Sequence, residues 1–296
     1  MKMSISFPII KKLGSGSFGD VILAKTPANM SYYPRHPYVA IKMLKNSNYS
    51  EAKHEAKLLS TLKHEGIVQY LDMSLCYVNF NWTLCLFMEY CDYGTLQDII
   101  QKGSQNWDRL LFKKYKNSAF NEGYLIEQQA WGVLYQLSNA LNYLHNLHPP
   151  IIHRDLKPSN ILCKREGKDG KEHRLKIADF GIAKVVGEKK CQDIYYTRSQ
   201  AGTEIYLAPE IVNGGRVTTY TDIFSLGAIA SFTCNRGKHL FYNCVQILSW
   251  EGGKSTLKRD KYSITFRQLV ANMMSPMTQN RPDAKLLEKI CSDNFK

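Results

Sequence analysis

Residues 14–21, Gly14-Ser15-Gly16-Ser17-Phe18-Gly19-Asp20-Val21, place three glycines at G-x-G-x-x-G spacing between two β-rich segments, residues 7–12 and 21–25. Glycine at those positions lets the backbone take φ > 0 and approach a phosphate closely. A dinucleotide-binding turn would open a helix at this point, whereas here a second strand follows, which argues against a doubly wound sheet. Taken alone, the run reads equally as a tight hairpin.

The pattern that follows divides the chain. Residues 38–44 read as a strand, residues 51–63 as a helix with Ala52, Ala56, Leu59 and Leu62 at helical spacing, and residues 68–70 and 84–88 again as strands. From residue 124 the pattern turns helical: Ala130, Val133, Leu134, Leu137, Leu141 and Leu144 form one apolar stripe, read as core, which Pro149-Pro150 end. Residues 222–234 and 283–291 read as further helices. The expectation is an α+β chain with a small β-rich lobe over residues 1–91 and a larger, mainly helical lobe over 92–296, with a nucleotide cleft between them.

Composition bounds the function classes. Of 296 residues, 44% are apolar and 22% charged, an ordinary globular balance that argues against a disordered chain or a coiled coil. No apolar run reaches the 18 residues of a membrane span, and the first residues lack a secretory signal. The eight cysteines form no C-x-x-C pair, so structural zinc is not expected, and an intracellular, cytoplasmic or nuclear, location is the simpler reading. The net charge of +13 concentrates in residues 101–120 (five Lys/Arg against Asp108) and 164–176 (six against three acids), together 7 of the 13. Such a surface favours anionic partners, although solvated loops explain it equally well. Trp107, Phe112, Tyr115 and Phe120 interleave with the first cluster as a nucleic-acid platform would require, but packing of the insertion onto the lobe is the simpler reading, and nucleic acid is not an expected partner.

The chemistry-bearing residues come in a fixed order. Val39-Ala40-Ile41-Lys42 ends an apolar segment on a lysine, which is costly to bury unpaired; Glu55, thirteen residues on in the expected helix, can be its partner. His153-Arg154-Asp155-Leu156-Lys157-Pro158-Ser159-Asn160, Asp179-Phe180-Gly181 and Ala208-Pro209-Glu210 follow. With the glycine run these motifs resemble the eukaryotic protein kinase family, and the resemblance covers residues 7–296 as one catalytic domain. Asp222-Ile223-Phe224-Ser225-Leu226-Gly227 resembles the family's D-x-W-S-L-G helix, and Arg281 its late arginine, partner of Glu210.

The resemblance implies ATP and Mg²⁺ as cofactors and phosphoryl transfer to protein hydroxyls. Gly14, Ser15, Gly16, Ser17, Phe18 and Gly19 would cover the phosphates, and Lys42, held by Glu55, would contact them. Val21, Ala40 and Leu162 would surround the adenine, with Met88 as gatekeeper and Glu89-Tyr90-Cys91 as hinge. Asp179 and Asn160 would hold Mg²⁺, Asp155 would act as base, Lys157 would neutralise the transferred phosphate, and Thr203 would bond towards Asp155 and Lys157. Leu59, Tyr70, His153 and Phe180 would stack as the regulatory spine.

Leu156-Lys157-Pro158-Ser159-Asn160 and the segment Gly202 to Glu210 resemble the serine/threonine type, so protein substrates with Ser/Thr acceptors are implied. The alternatives are a pseudokinase scaffold, against which every polar catalytic position is filled, and a tyrosine or dual-specificity kinase. A weak likeness to inositol-requiring stress-sensor kinase domains rests on residues 221–225 and 237–241. Arg154 before Asp155 implies control by activation-segment phosphorylation, at Ser199 or the neighbouring Thr197 and Tyr196, by an activating kinase or a second copy in trans. Residues 26–38 and 101–123 depart from the family as insertions, residues 164–174 enlarge a hairpin next to the catalytic loop, and loops of that size are functional or disordered more often than inert.

Overall fold

The structure is a computed structural model that describes residues 7–16, 19–44, 49–78, 81–101, 125–167, 172–186, 204–253 and 255–295. The chain divides into two compact units, Met1–Asp92 and Tyr93–Lys296.

The first unit is built on one antiparallel sheet. Strands β1 (Ile9–Gly16), β2 (Gly19–Lys25) and β3 (Tyr38–Leu44) are followed by helix α1 (Tyr49–Thr61) and strands β4 (Tyr70–Val78) and β5 (Asn81–Glu89). The spatial order is β1-β2-β3-β5-β4. Directly opposed residues share a face, and the register runs Val21–Lys42–Leu86 and Leu23–Ala40–Met88 on one side. Ile22, Ala24, Val39, Ile41, Cys85 and Phe87 form a core on the other. A second cluster (Leu44, Ala56, Leu84 and Leu86) gathers α1 onto the sheet, with Met73 and Leu75 packed against it.

Two expectations change here. The strand expected at 68–70 is β4, which starts at Tyr70 and runs eight residues further. Residues 71–77 alternate apolar with polar or small side chains (Leu71, Asp72, Met73, Ser74, Leu75, Cys76, Tyr77), the period-two signature of a half-buried strand. The insertion at 26–38 is packed: Thr26, Met30 and His36 are buried, and Tyr32 lies against the Ile41–Phe87 core.

The second unit opens with α2 (Leu96–Gln101) and the long helix α3 (Glu127–His145), whose stripe Ala130, Val133, Leu134, Leu137, Leu141 and Leu144 is buried as its spacing requires. The helix ends before the prolines, at a C-cap on Asn146 whose N–H returns to the Asn142 carbonyl. Strand β6 (Ile151–Ile152) pairs with β9 (Lys184–Val185), and β7 (Ile161–Glu166) with β8 (Glu172–Ile177). The insertion at 164–174 extends this hairpin, as expected: Lys164 lies opposite Arg174, and Glu166 opposite Glu172. After the short α4 (Pro209–Val212), helix α5 (Thr219–Cys234) is buried along its length from Thr221, as befits a helix apolar all round. Helices α6 (Cys244–Leu248), α7 (Ile264–Met273) and α8 (Ala284–Asn294) complete the unit.

Arg281, 3% exposed, grips the Glu210 carboxylate with two bonds of 2.8 Å, donates to the carbonyls of Tyr220, Ser275 and Pro276, and lies over the Phe224 ring at 5.0 Å. Among the described residues no helix is long and apolar enough to cross a membrane.

Candidate active site

In the first unit the sheet register brings Val21, Ala40, Lys42 and Met88 onto one face. Gly14 stands opposite Val21 at the start of the glycine hairpin. Lys42 is 6% exposed with its neighbours on that face mostly apolar, so this ammonium sits where only a charged partner makes burial tolerable. The side chain of Glu55, and Ser17, Phe18 and Thr203, lie outside the described residues, as do Tyr196, Thr197 and Ser199.

The hairpin is tight at its far end. Gly19 adopts φ +141°, and a Cβ there would fall 1.9 Å from the Met43 carbonyl oxygen of β3. Ser15 hydrogen-bonds through its hydroxyl to Asp20, and Lys12 Nζ lies 3.1 Å from the same carboxylate oxygen. At the end of β5 the Glu89 carboxylate is turned inward and accepts the Gln69 N–H at 2.8 Å, while Glu89 donates its own N–H to the Gln69 carbonyl. Any backbone contact from Glu89 to a ligand must therefore come from its carbonyl. Cys91 is buried and Met88 half-buried.

The second unit holds the polar cluster. Asp155, 7% exposed, receives Lys157 Nζ and Asn160 Nδ2 on one oxygen, Oδ2, each at 2.9 Å. Asn160 Nδ2 also donates to the Asp155 carbonyl, and the Ala178 N–H donates to the Asn160 carbonyl, which ties the loop to the strand that precedes Asp179. His153 Nδ1 accepts the Asp155 N–H at 3.3 Å, so the proton is on Nε2, which donates to the Ala178 carbonyl at 3.0 Å. The His153 ring meets Phe180 edge-on at 4.8 Å, both fully buried. Leu59, also buried, and Tyr70, half-buried, belong to the first unit.

Arg154 and Asp179 take φ of 71° and 64°, a left-handed region that costs a non-glycine residue of order 1–3 kcal/mol and persists where the surroundings over-determine it. For Arg154 the cause is visible. Asp222, fully buried in α5, accepts the N–H groups of His153 and Arg154 at 2.9 Å each and the His145 ring at 2.9 Å. Burial opposes the Asp222 charge, but the hydrogen bond and charge of His145, with the Arg154 N–H, hold its carboxyl below the usual range.

Leu162 sits in β7 opposite Lys176 and bridges to Thr95. Thr95 caps α2 reciprocally with Asp98: its hydroxyl accepts the Asp98 N–H and bonds the Asp98 carboxylate at 2.8 Å.

The donor set suits a hard cation. Two acceptors on Asp155 fix the Asn160 amide with Nδ2 towards them, which leaves its oxygen for the opposite side. Asp179 adds a carboxylate, and Mg²⁺ is commonly held by one or two protein oxygens together with phosphate and water.

A family model described as protein kinase domain matches residues 7–295. The chain belongs to the protein kinase family. It is 28% identical over 97% of its length to the serine/threonine-protein kinase pakD of Dictyostelium discoideum, of which it covers 16%. It is 28% identical over 95% to the serine/threonine-protein kinase Nek1 of Mus musculus, covering 21% of it, and 27% over 95% to the G2-specific protein kinase nimA of Emericella nidulans, covering 40%. The kinase chain thus spans well under half of each of these relatives. His145 carried little signal in the sequence, being a lone histidine at the end of an amphipathic helix, and Asp98 none beyond its spacing from Thr95.

Proposed function

We propose that this kinase domain transfers the γ-phosphoryl group of ATP to serine or threonine hydroxyls of proteins. The observation that supports this best is the double hold of Lys157 and Asn160 on Asp155 Oδ2. One ammonium and one amide donor on a single oxygen leave the other, Oδ1, as the atom to meet an acceptor hydroxyl. Asp155 then takes the hydroxyl proton as the oxygen bonds to phosphorus and ADP leaves. Lys157, already beside Asp155, is placed to offset charge on the transferred group. Lys42 on the β3 face would meet the α- and β-phosphates, the hairpin Gly14–Gly19 would cover them, and Val21, Ala40, Met88, Cys91 and Leu162 would bound the adenine. Mg²⁺, held by Asp179 and Asn160, would supply neutralisation of phosphate charge.

The serine/threonine assignment rests on Lys157-Pro158-Ser159 in the catalytic loop and on the names of the relatives. The boundary of the two lobes near residues 91–92, the intracellular location and an activating phosphate near Ser199, placed by another kinase or by a second copy, belong to the same reading. That phosphate would bring about −1.5 to −2 charge towards Arg154.

The test is labelling of a mixed Ser/Thr/Tyr peptide library with γ-labelled ATP and Mg²⁺, followed by identification of the labelled amino acid. Wild type should label serine and threonine. Asp155→Asn should lower kcat by orders of magnitude with nucleotide affinity retained. Labelling confined to tyrosine, or near-native turnover in Asp155→Asn, would overturn the reading.

A further inference from the structure

The sheet face opposite Lys42 carries two thiols on neighbouring strands. Ser74 of β4 stands opposite Cys85 of β5, and Cys76 opposite Thr83, so Cys76 and Cys85 share a face one diagonal step apart. The Cys76 thiol donates to the Ser74 carbonyl at 4.0 Å and the Cys85 thiol to the Thr83 carbonyl at 3.6 Å, each within its own strand. Their exposures differ: Cys85 is 1% exposed within the Ile41–Phe87 core, whereas Cys76 is half-buried at its margin beside Tyr32 and Asp72. A reagent from solvent therefore reaches Cys76 before Cys85.

We propose that Cys76 and Cys85 form a peroxide-sensitive thiol pair that closes to a reversible cross-strand disulfide. The asymmetry of the pair suits the order of events. The neighbouring Cys85 thiol holds the Cys76 thiol below its ordinary value, although burial and Asp72 oppose this. The Cys76 thiol, with burial, pushes Cys85 up. The thiolate, the reactive form, is thus favoured at the reachable sulfur.

In the first step the Cys76 thiolate attacks one oxygen of hydrogen peroxide. An S–O bond forms, the O–O bond breaks, and the departing hydroxide is protonated to water, leaving a sulfenic acid. In the second step the Cys85 sulfur attacks the Cys76 sulfur. The S–S bond forms, the S–O bond breaks, and the hydroxyl leaves as water with the Cys85 proton. Two thiols lose two electrons, and one peroxide becomes two waters.

Diagonal pairs have Cα atoms about 7–8 Å apart, at or beyond the usual disulfide span of about 4.4–6.8 Å. Closure must draw β4 and β5 together locally, and a bridge under such tension is easily reduced. Cys244 provides an internal comparison: it is also half-buried, and its sulfur lies 3.1 Å from the Glu204 carboxylate.

The experiment uses the full wild-type chain, reduced, exposed to hydrogen peroxide, alkylated and mapped by mass spectrometry. A linked peptide pair holding Cys76 and Cys85, two hydrogens lighter than its parts and released by dithiothreitol, is expected. In Cys85→Ser, dimedone should trap a sulfenic acid at Cys76, and in Cys76→Ser it should trap nothing at Cys85. Alkylation of both thiols after peroxide, or over-oxidation of Cys76 with Cys85 still a free thiol, would overturn the proposal.

Discussion

His145 donates its Nε2–H to Asp222 Oδ2 across 2.9 Å, and the same oxygen receives the His153 N–H. A carboxylate only accepts, so the ring must be the donor. His145 Nδ1 is buried without a hydrogen-bond partner, so the ring serves this one contact. His145 thus fixes the carboxylate that in turn holds the N–H groups of His153 and of the strained Arg154 itself, one residue from Asp155.

Replacing His145 with Phe should therefore act at a distance. Leaving a buried carboxylate short of one hydrogen bond costs about 1–3 kcal/mol, and a urea midpoint lowered accordingly is expected. Phosphoryl transfer should lose kcat more than KM for ATP rises, because the displaced group is the Asp155 loop. An unchanged midpoint, or an effect on KM alone, would show that Asp222 holds the loop unaided.

The glycines of the hairpin separate in a way their spacing does not reveal. A Cβ on Gly14 meets nothing within 4 Å, whereas one on Gly19 falls 1.9 Å from the Met43 carbonyl oxygen, with φ +141° besides. Gly14→Ala should leave stability within about 0.5 kcal/mol of wild type, as open surface sites do. Gly19→Ala must push β2 off β3, and should lower stability by about 2 kcal/mol or more through combined clash and backbone strain. Thermal unfolding of the two variants side by side decides it; equal midpoints would refute the register drawn between Gly19 and Leu44.

His239 gives a pH dependence with a definite sign. Its Nδ1 lies 3.1 Å from the Tyr206 hydroxyl and its ring 4.8 Å from Phe232. Burial holds its pKa below the ordinary value, and burial pushes Tyr206 up, so both stay neutral near pH 7. The folded state thus resists protonation of His239 more than the unfolded chain does. This contribution is present above the unfolded pKa of about 6.5 and is lost as pH falls from there towards the lower folded value. Comparing wild type with His239→Phe isolates it: the wild type's relative advantage in Tm at pH 7.5 should shrink at pH 5.5. A difference independent of pH would contradict the assignment.

How much was legible follows from the kind of signal each residue carries. Tyr38–Leu44 was readable because an apolar run ending in lysine is rare, and the 130–144 stripe because its period is unambiguous. β4 was cut short although residues 71–77 alternate cleanly, since Asp72 and Ser74 look like loop residues until a sheet face is there to receive them. The Asp155 cluster was legible as a motif. Its bracing was not: His145 and Asp222 are 77 positions apart, and no local pattern couples them. The insertion at 26–38 carried no period at all, and its packing depends on Tyr32 meeting a core that the flanking strands β2 and β3 form only together with the distant β5.

The acceptor sequence is the last expectation the site bears on. In the family, preference for arginine upstream of the acceptor goes with carboxylates at the positions held here by Thr95 and Ser159. Asp98, three residues after Thr95, is engaged by the Thr95 hydroxyl and N–H in capping α2. The charge-assisted pairs an arginine needs are therefore missing at Thr95 and Ser159, and a chain of net charge +13 repels basic peptides at low salt. Neutral or acidic surroundings should be preferred. Ile182, β-branched and directly after Asp179-Phe180-Gly181, accompanies threonine preference in the family, so threonine should exceed serine as acceptor. A positional peptide scan reads both at once: strong selection for upstream arginine would refute the first expectation, and serine favoured several-fold would refute the second.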